Sequence, residues 1–157
     1  ETAAAVAGVP VDSAYPAMAR ALAAFTPPAE PLRVDTSFSG TRSDPTRRGH
    51  IANVGIQNLT MANLCDGVLN GMVAELQALY EKMRPFLPGA PTMLVGSGNG
   101  IRHNPPLAAR FAAAFGLPLR VPVNDEEAAF GASLFGLAAA GGAPDVAVAQ
   151  RCIRYRQ

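Results

Sequence analysis

The sequence is poor in cysteine, in aromatic side chains and in net charge. Its only two cysteines, Cys65 and Cys152, lie far apart, so we expect no disulfide framework and predict a reducing, cytoplasmic location. A formal net charge of +1 gives no electrostatic footprint for nucleic acid or an anionic membrane. No apolar run is long enough to suggest a membrane span, and no His or Cys cluster has metal-ligand spacing. The sequence therefore predicts a globular domain without nucleic-acid, membrane or metal contacts of its own.

What the chain does contain is apolar sequence with clear periodicity. Apolar residues make up 49% of it, which is enough for one domain with a hydrophobic core. Their spacing predicts two helices and two strands in the first half: 13–25, 32–38, 51–56 and 60–83. The last of these helices carries one apolar stripe, formed by Leu64, Val68, Met72, Leu76, Leu79 and Met83. Gly67 and Gly71 in the same helix predict a close contact with a neighbouring helix or strand.

The second half predicts strand, turn, helix, strand and helix in that order, which is an α/β arrangement. Strands are expected over 91–95 and 117–123. The helix between them should be capped by Asn104, with Pro105 at its first position, where a missing N–H costs nothing. Asn124 followed three residues later by Glu127 predicts a capping box at the start of the last helix.

A glycine-rich turn, LVGSGNGIRHNP at 94–105, follows the strand that ends at Val95. Ligands bind at the carboxyl ends of strands in open α/β sheets. The residues alone leave three interpretations open: a tight turn without a ligand, a dinucleotide fold, and an adenine nucleotide over the turn. The dinucleotide fingerprint fits poorly because Ile101 stands where its third glycine belongs, and a P-loop would need Gly-Lys-Ser/Thr. In the third interpretation the glycines let ribose and α-phosphate approach the backbone, beside a helix N-terminus that favours phosphate.

Three segments resemble the C-terminal domain of the FGGY carbohydrate kinases, and most closely its sedoheptulokinase-like members. They are FSGTRSDPTRRGHIANV (38–54), LVGSGNGIRHNPPLAARFAAAFGLPLRVP (94–122) and NDEEAAFGASLFGLAAAG (124–141). The resemblance extends over nearly the whole chain from about Leu32 onward, with the three segments in the family's order. It implies an α/β domain of the ribonuclease H-like type found in actin-like ATPases and sugar kinases, a mixed sheet flanked by helices.

The resemblance also implies how the chain is organised. Residues 1–157 would be a single domain, most of the C-terminal ATP-binding domain of a two-domain kinase. The N-terminal domain, which in the family holds the sugar and the catalytic aspartate, would be absent. A start at Glu1 without methionine is expected of such a fragment.

The activity implied is transfer of the γ-phosphoryl group of ATP to a sugar hydroxyl, with ATP and Mg²⁺ as cofactors and a ketose such as sedoheptulose as acceptor. No catalytic residue and no metal ligand are expected in this chain, and the sugar would bind through the missing domain. Carried over residue by residue, the adenosine site comprises Gly96, Ser97, Gly98, Asn99 and Asn104. A homodimer stays open. The alternatives are a non-catalytic actin-like nucleotide-binding domain and, less close to the motifs, an NAD-binding dehydrogenase domain.

Overall fold

The computed structural model describes residues 5, 6, 8 and 10–156. The chain divides into two compact units at the Leu87–Pro88 bond. Each unit contains one two-stranded sheet, so the described residues form two small sheets and not the single mixed sheet expected. In the described residues, β-strands of the first unit pair with each other, and so do those of the second unit, so no strand joins the two sheets. Helices and small sheets together agree with the predicted α/β class.

Over residues 10–87, the elements of the first unit are α1 Val11–Ala23, β1 Arg33–Asp35, β2 His50–Ala52, α2 Met61–Met83 and the 3₁₀ helix Arg84–Phe86. β1 and β2 are antiparallel, with Val34 opposite Ile51. The hydroxyl of Thr60 accepts a hydrogen bond from the N–H of Asn63 at 3.3 Å and so caps α2. The four elements predicted in the first half are confirmed with shifted ends.

Two glycines let α2 lie directly against β1. A Cβ atom at Gly67 would be 2.8 Å from Val34 Cγ2, and one at Gly71 would be 2.2 Å from the carbonyl oxygen of Val34. Neither distance is possible for a real side chain, so both positions require glycine unless the helix moves away. The predicted close contact is confirmed, and the neighbour is a strand.

The apolar stripe of α2 is correct in period but is not the buried face. Four of its members are 38–57% exposed: Met72, Leu76, Leu79 and Met83. The buried positions of the helix are Asn63, Asp66, Gly67, Leu69 and Val73. The face of α2 that contacts β1 carries Gly67 and Gly71. The larger apolar side chains of the stripe therefore lie on another face of the helix.

The second unit has two strands, four helices and a 3₁₀ helix: β3 Leu94–Val95, α3 Asn99–Arg102, α4 Pro105–Phe115, β4 Leu119–Arg120, α5 Glu127–Ala139, α6 Val146–Ala149 and the 3₁₀ helix Gln150–Cys152. β3 and β4 are parallel, with Leu94 opposite Leu119. The predicted order of strand, turn, helix, strand and helix is confirmed, whereas α3 and α6 were not predicted. No helix in the described part of the chain is long and apolar enough to cross a membrane.

Helix α4 begins as its sequence predicts. Asn104 Oδ1 accepts a hydrogen bond from the N–H of Leu107 at 3.1 Å, and Pro105 is the first helical residue. Gly116 ends the helix in the left-handed conformation, with a φ of 61°. Leu107 and Phe111 are 2% and 6% exposed and belong to the core of this unit.

The predicted capping box at α5 is wrong. The N-cap residue is Glu126, whose side chain makes no capping hydrogen bond, and Glu127 is the first helical residue. The carboxylate of Glu127 accepts a hydrogen bond from the N–H of Gly98 instead. A contact 29 residues away in sequence therefore replaces the local one.

Candidate functional site

The glycine turn begins where β3 leaves the parallel sheet. The N–H groups of Leu94 and Gly96 donate to the carbonyl oxygens of Pro118 and Arg120, each at 2.9 Å. After Gly96 the chain departs from β4 and enters α3. The turn thus lies at the carboxyl end of a parallel strand, which is where α/β proteins commonly bind ligands.

The two glycines of Gly96-x-Gly98 have different physical roles. A Cβ at Gly96 would lie 2.8 Å from Ile101 Cγ2 and 3.3 Å from Leu119 Cδ2, so this glycine permits packing inside the unit. Gly98 has a φ of 87° and a ψ of 162°, a combination that is essentially restricted to glycine. A Cβ at Gly98 would meet nothing within 4 Å, so the space beside it is open.

Arg102 joins the turn to the loop before α5. Its side chain is 7% exposed, and Nη1 donates to Asn99 Oδ1 at 3.0 Å. Nη2 donates to the carbonyl oxygens of Asn124 and Asp125 at 3.2 and 3.1 Å. Nη2 also pairs with the carboxylate of Glu127, while Nε lies 3.5 Å from Asp125 Oδ1. A buried guanidinium with these partners fixes the relative position of the segments that it joins.

Glu127 completes this connection. Its Oε1 atom accepts from the N–H of Gly98 at 3.2 Å and pairs with Arg102. The N–H of Gly98 is the main cause that holds the pKa of the Glu127 carboxyl below its usual range, followed by the N–H of Glu127 itself and, after these, Arg102. The carboxylate is therefore ionised at neutral pH.

This arrangement limits what the turn can bind. The N–H of Gly98 already donates to a carboxylate, and a second anion at that atom would be repelled. At Gly98, the turn therefore lacks the free N–H group that a phosphate cradle would offer. Ser97, Asn99 and Gly100 are exposed along the same turn and offer a small polar surface. Such a surface suits a neutral ring or ribose better than a phosphate.

The sequence matches the C-terminal domain of the FGGY family of carbohydrate kinases over residues 2–140. The chain belongs to this family. No curated protein matches the sequence.

Solved structures show the fold that the FGGY domain shares. A xylulose kinase from Rhodospirillum rubrum superposes with a TM-score of 0.75 at 18% identity, over 99% of this chain and 31% of that one. A gluconate kinase from Lactobacillus acidophilus gives 0.75 at 12% identity, over 89% and 28%. A xylulose kinase from the same organism gives 0.71 at 15% identity, over 89% and 29%. The likeness shows the sugar-kinase fold, which is of the ribonuclease H-like type, and the FGGY domain spans less than a third of each kinase.

The structure brings four of the five predicted adenosine residues into one turn: Gly96, Ser97, Gly98 and Asn99. Asn104 follows α3, and its N–H donates to the carbonyl oxygen of Ile101 at 3.2 Å. Its side-chain oxygen is engaged in capping α4, so only the amide nitrogen side could face a ligand. The sequence interpretation missed Arg102 and Glu127. Their only sequence signal is an arginine within the turn and an acid at the start of the helix after the next strand.

A second polar region of the FGGY domain lies in the first unit. It is a cavity of about 920 Å³ lined by β1, the loop after it and one side of α2. Asp35 in its wall accepts from the N–H of Ser37 at 3.0 Å and from the Ser37 hydroxyl, and it pairs with Arg47 Nη2 at 2.5 Å. The Ser37 hydroxyl and, after it, Arg47 hold the pKa of Asp35 far below its usual range.

The other charged side chains of this cavity are mainly basic. Arg33, Arg42 and Lys82 line it and form no ion pair with a residue that the structure describes. Glu75, also in the lining, accepts a hydrogen bond from the hydroxyl of Thr36 at 3.0 Å. Within residues 5, 6, 8 and 10–156, no three His, Cys, Asp or Glu side chains are grouped as metal ligands.

Proposed function

We propose that this FGGY domain forms the adenosine-binding side of the ATP site in a carbohydrate kinase. The observation that carries the proposal is the turn at Gly98, whose glycine-only backbone and open space lie at the carboxyl end of β3. Membership of the FGGY family supplies the reaction class. Three interpretations of the turn were open from its spacing alone, and family membership favours the nucleotide.

In this proposal the ribose and adenine lie over the turn 96–99, with the amide of Asn104 at its far edge. The structure supports such an assignment through the exposed surface of Ser97 and Asn99 and the absence of side-chain atoms within 4 Å of the Gly98 Cβ position among the described residues. The carboxylate of Glu127 argues that the phosphates extend away from Gly98.

The proposed reaction forms a bond between a sugar oxygen and the γ-phosphorus and breaks the bond from that phosphorus to the β–γ bridging oxygen. The hydroxyl proton passes to a base, and the developing charge is neutralised by donors and by Mg²⁺. Mg²⁺ usually keeps several waters and binds through phosphates and one or two carboxylates, so we assign it to the ATP phosphates and to no residue of this chain. The base and the sugar site are assigned to the remainder of a two-domain kinase, of which residues 1–157 would be the C-terminal domain.

The acceptor is proposed to be a ketose. The resemblance of the motifs to sedoheptulokinase-like members suggests sedoheptulose. The solved structures are xylulose and gluconate kinases, so xylulose and gluconate are informative control substrates. A cytoplasmic location is part of the proposal and is supported by the free thiols of Cys65 and Cys152. A homodimer stays a prediction.

Calorimetry on the 157-residue chain tests the nucleotide site. We expect ATP, ADP and adenosine to compete for one site and NAD to bind no better than adenosine. Tight NAD binding would support the dehydrogenase alternative, and no binding of any adenine compound would contradict the proposal.

Sugar phosphorylation tests the reaction. The chain alone should show no turnover with sedoheptulose, xylulose, ribulose, gluconate or glycerol, because no base is assigned to it. The longest natural protein that contains the chain should phosphorylate at least one of these sugars. ATP binding without turnover in that longer protein would favour a non-catalytic actin-like domain.

A further inference from the structure

We propose that Arg102 is a positioning residue for the nucleotide, which fixes the shape of the glycine turn from behind without touching the adenosine. The inference rests on the proposed function, because it concerns the same site. It assigns Arg102 and Glu127 a role in ATP affinity, through the backbone of Gly98 and the side chain of Asn99.

The first argument is the burial of Arg102. An arginine side chain that is 7% exposed has lost most of its hydration and must be compensated by partners on several sides. It has them on both sides: Asn99 in the turn, and the carbonyl oxygens of Asn124 and Asp125 before α5. The planar fork of the guanidinium can satisfy these directions at once, whereas a lysine ammonium cannot.

The second argument is that both arms of Arg102 end on the proposed adenosine surface. One arm bonds Oδ1 of Asn99 at 3.0 Å and so fixes the orientation of that exposed side chain. The other pairs with Glu127, whose carboxylate accepts from the N–H of Gly98 at 3.2 Å. The orientation of the Gly98 peptide, at a φ of 87°, is therefore determined by a contact from another segment as well as by its own sequence.

The third argument is energetic. A turn that is ordered before the nucleotide arrives does not have to be ordered by it, so the binding free energy is not reduced by that cost. Removing Arg102 would leave the Glu127 carboxylate without its cation and the Gly98 peptide less constrained. The expected consequence is weaker binding of every ligand that lies on the turn, whether ATP, ADP or adenosine.

Arg156 provides a matched control. Its guanidinium pairs with the same Asp125, at 2.6 Å, and its Nε donates to the carbonyl oxygen of Pro122 at 3.2 Å. Among the described residues, its side chain makes no hydrogen bond or ion pair with Gly98, Asn99 or Glu127. Arg156→Gln thus removes an arginine and an Asp125 ion pair of the same unit while leaving the turn intact.

The experiment measures adenosine and ATP affinity for the 157-residue chain and for R102Q, R102K, E127Q and R156Q, with thermal unfolding of each. We expect R102Q and R102K to bind about tenfold more weakly, because the ligand must then order the turn. E127Q should weaken binding in the same direction, and R102Q/E127Q should be no worse than R102Q because the two residues act as one unit. R156Q should bind like the original chain.

Amide NMR gives a readout that a merely structural role would not move. In R102Q and E127Q the Gly98 N–H resonance should shift upfield, because its hydrogen bond to the carboxylate is weakened or lost, while the resonances of α4 stay in place. In R156Q the Gly98 resonance should not move.

The outcomes separate this inference from the proposed function. If the original chain binds neither ATP nor adenosine, the proposed function fails, and this inference fails with it. If the original chain binds them and R102Q binds equally well, or if R156Q weakens binding as much as R102Q, only the positioning role is overturned. If R102Q does not fold, E127Q and Asn99→Ala each remove one arm of the connection, and unchanged affinity in both overturns it.

Discussion

The two polar regions of this domain differ in how far their charged side chains are exposed to solvent. At the glycine turn, Arg102 is 7% exposed and bonded on both sides, and Glu127 is 19% exposed. At the cavity of the first unit, the side chains of Arg47 and His50 are 53% and 69% exposed. Buried pairs are little screened by solvent, whereas exposed charges interact weakly and reorient freely. The contacts of Arg102 therefore constrain the turn more strongly than solvent-exposed contacts constrain Arg47 and His50.

Under the proposed function, a turn held in this way suits a ligand of fixed shape, such as a nucleoside. The cavity of the first unit is lined by three cations that have no ion pair in the described part of the chain. Three substitutions and a change of pH test the contacts that hold the two regions.

The largest effect is expected at Gly71, which lines the cavity and contacts β1. Gly71→Ala places a Cβ 2.2 Å from the carbonyl oxygen of Val34, so α2 must move and unfolding should become easier by about 3 kcal/mol. Urea unfolding measures the change. Gly136→Ala in α5 is the control, because a Cβ there meets nothing within 4 Å and should stabilise the helix by about 0.5 to 1 kcal/mol. Equal effects of both substitutions would show that α2 is not held against the strand.

A smaller loss is expected from Gly98→Ala in the turn. The space is open, but the backbone conformation excludes other residues, so we expect a loss of about 2 kcal/mol and weaker ATP binding. Gly100→Ala, two residues along in α3, has neither a positive φ nor a neighbour within 4 Å, and stability should be kept or improved. A neutral Gly98→Ala would mean that the turn is not rigid.

Asn104 separates capping from ligand contact. Asn104→Ala should lower the free energy of unfolding by about 1 kcal/mol, because α4 loses its N-cap. Asn104→Ser keeps the cap and removes the amide, so stability should be retained while ATP binds more weakly. Thr60→Ala in the first unit is the control, since it removes an equivalent cap without any effect on nucleotide affinity. If Asn104→Ser binds ATP normally, Asn104 serves only the helix.

The smallest effect is on the pH dependence of stability. Both Glu127 and Asp35 have a folded pKa below their ordinary values of 4.5 and 3.8. Each contribution is therefore complete above the ordinary pKa and is lost as the pH falls through the lowered one. Carboxyl NMR should show Glu127 protonating first, because its ordinary pKa is higher and Asp35 is held further down by Ser37 and Arg47. Protonation of Asp35 before Glu127 would contradict the assigned contacts.

Local rules predicted much of this fold. The cap at Asn104 and the place of Pro105 at the first position of α4 depend on residues within one helical turn, which the sequence displays directly. The predicted capping box at Glu127 is wrong because it considered only local donors. The Glu127 carboxylate accepts from the N–H of Gly98, which belongs to a distant segment.

The period of α2 was predicted correctly, but the apolar stripe is not the buried face of the helix. Apolar spacing identifies a stripe without showing what lies opposite, and here β1 requires close approach of its backbone. Gly67 and Gly71 permit that approach because neither has a Cβ atom to collide with Val34. The glycines indicated the packed face better than the apolar stripe, because a neighbouring backbone can approach a helix closely only where no side chain intervenes.

The sequence by itself determined the family, the order of the longer helices and of the strands, and the position of the glycine turn after β3, because all three are recorded in residue types at short spacing. Only the tertiary structure decided what holds that turn. Parallel pairing of β3 with β4 brings the turn beside the start of α5, so Arg102 meets Glu127 across 25 residues of sequence. Spacing along the chain does not specify such a pair, because its energy depends on burial, and burial exists only once the strands are aligned.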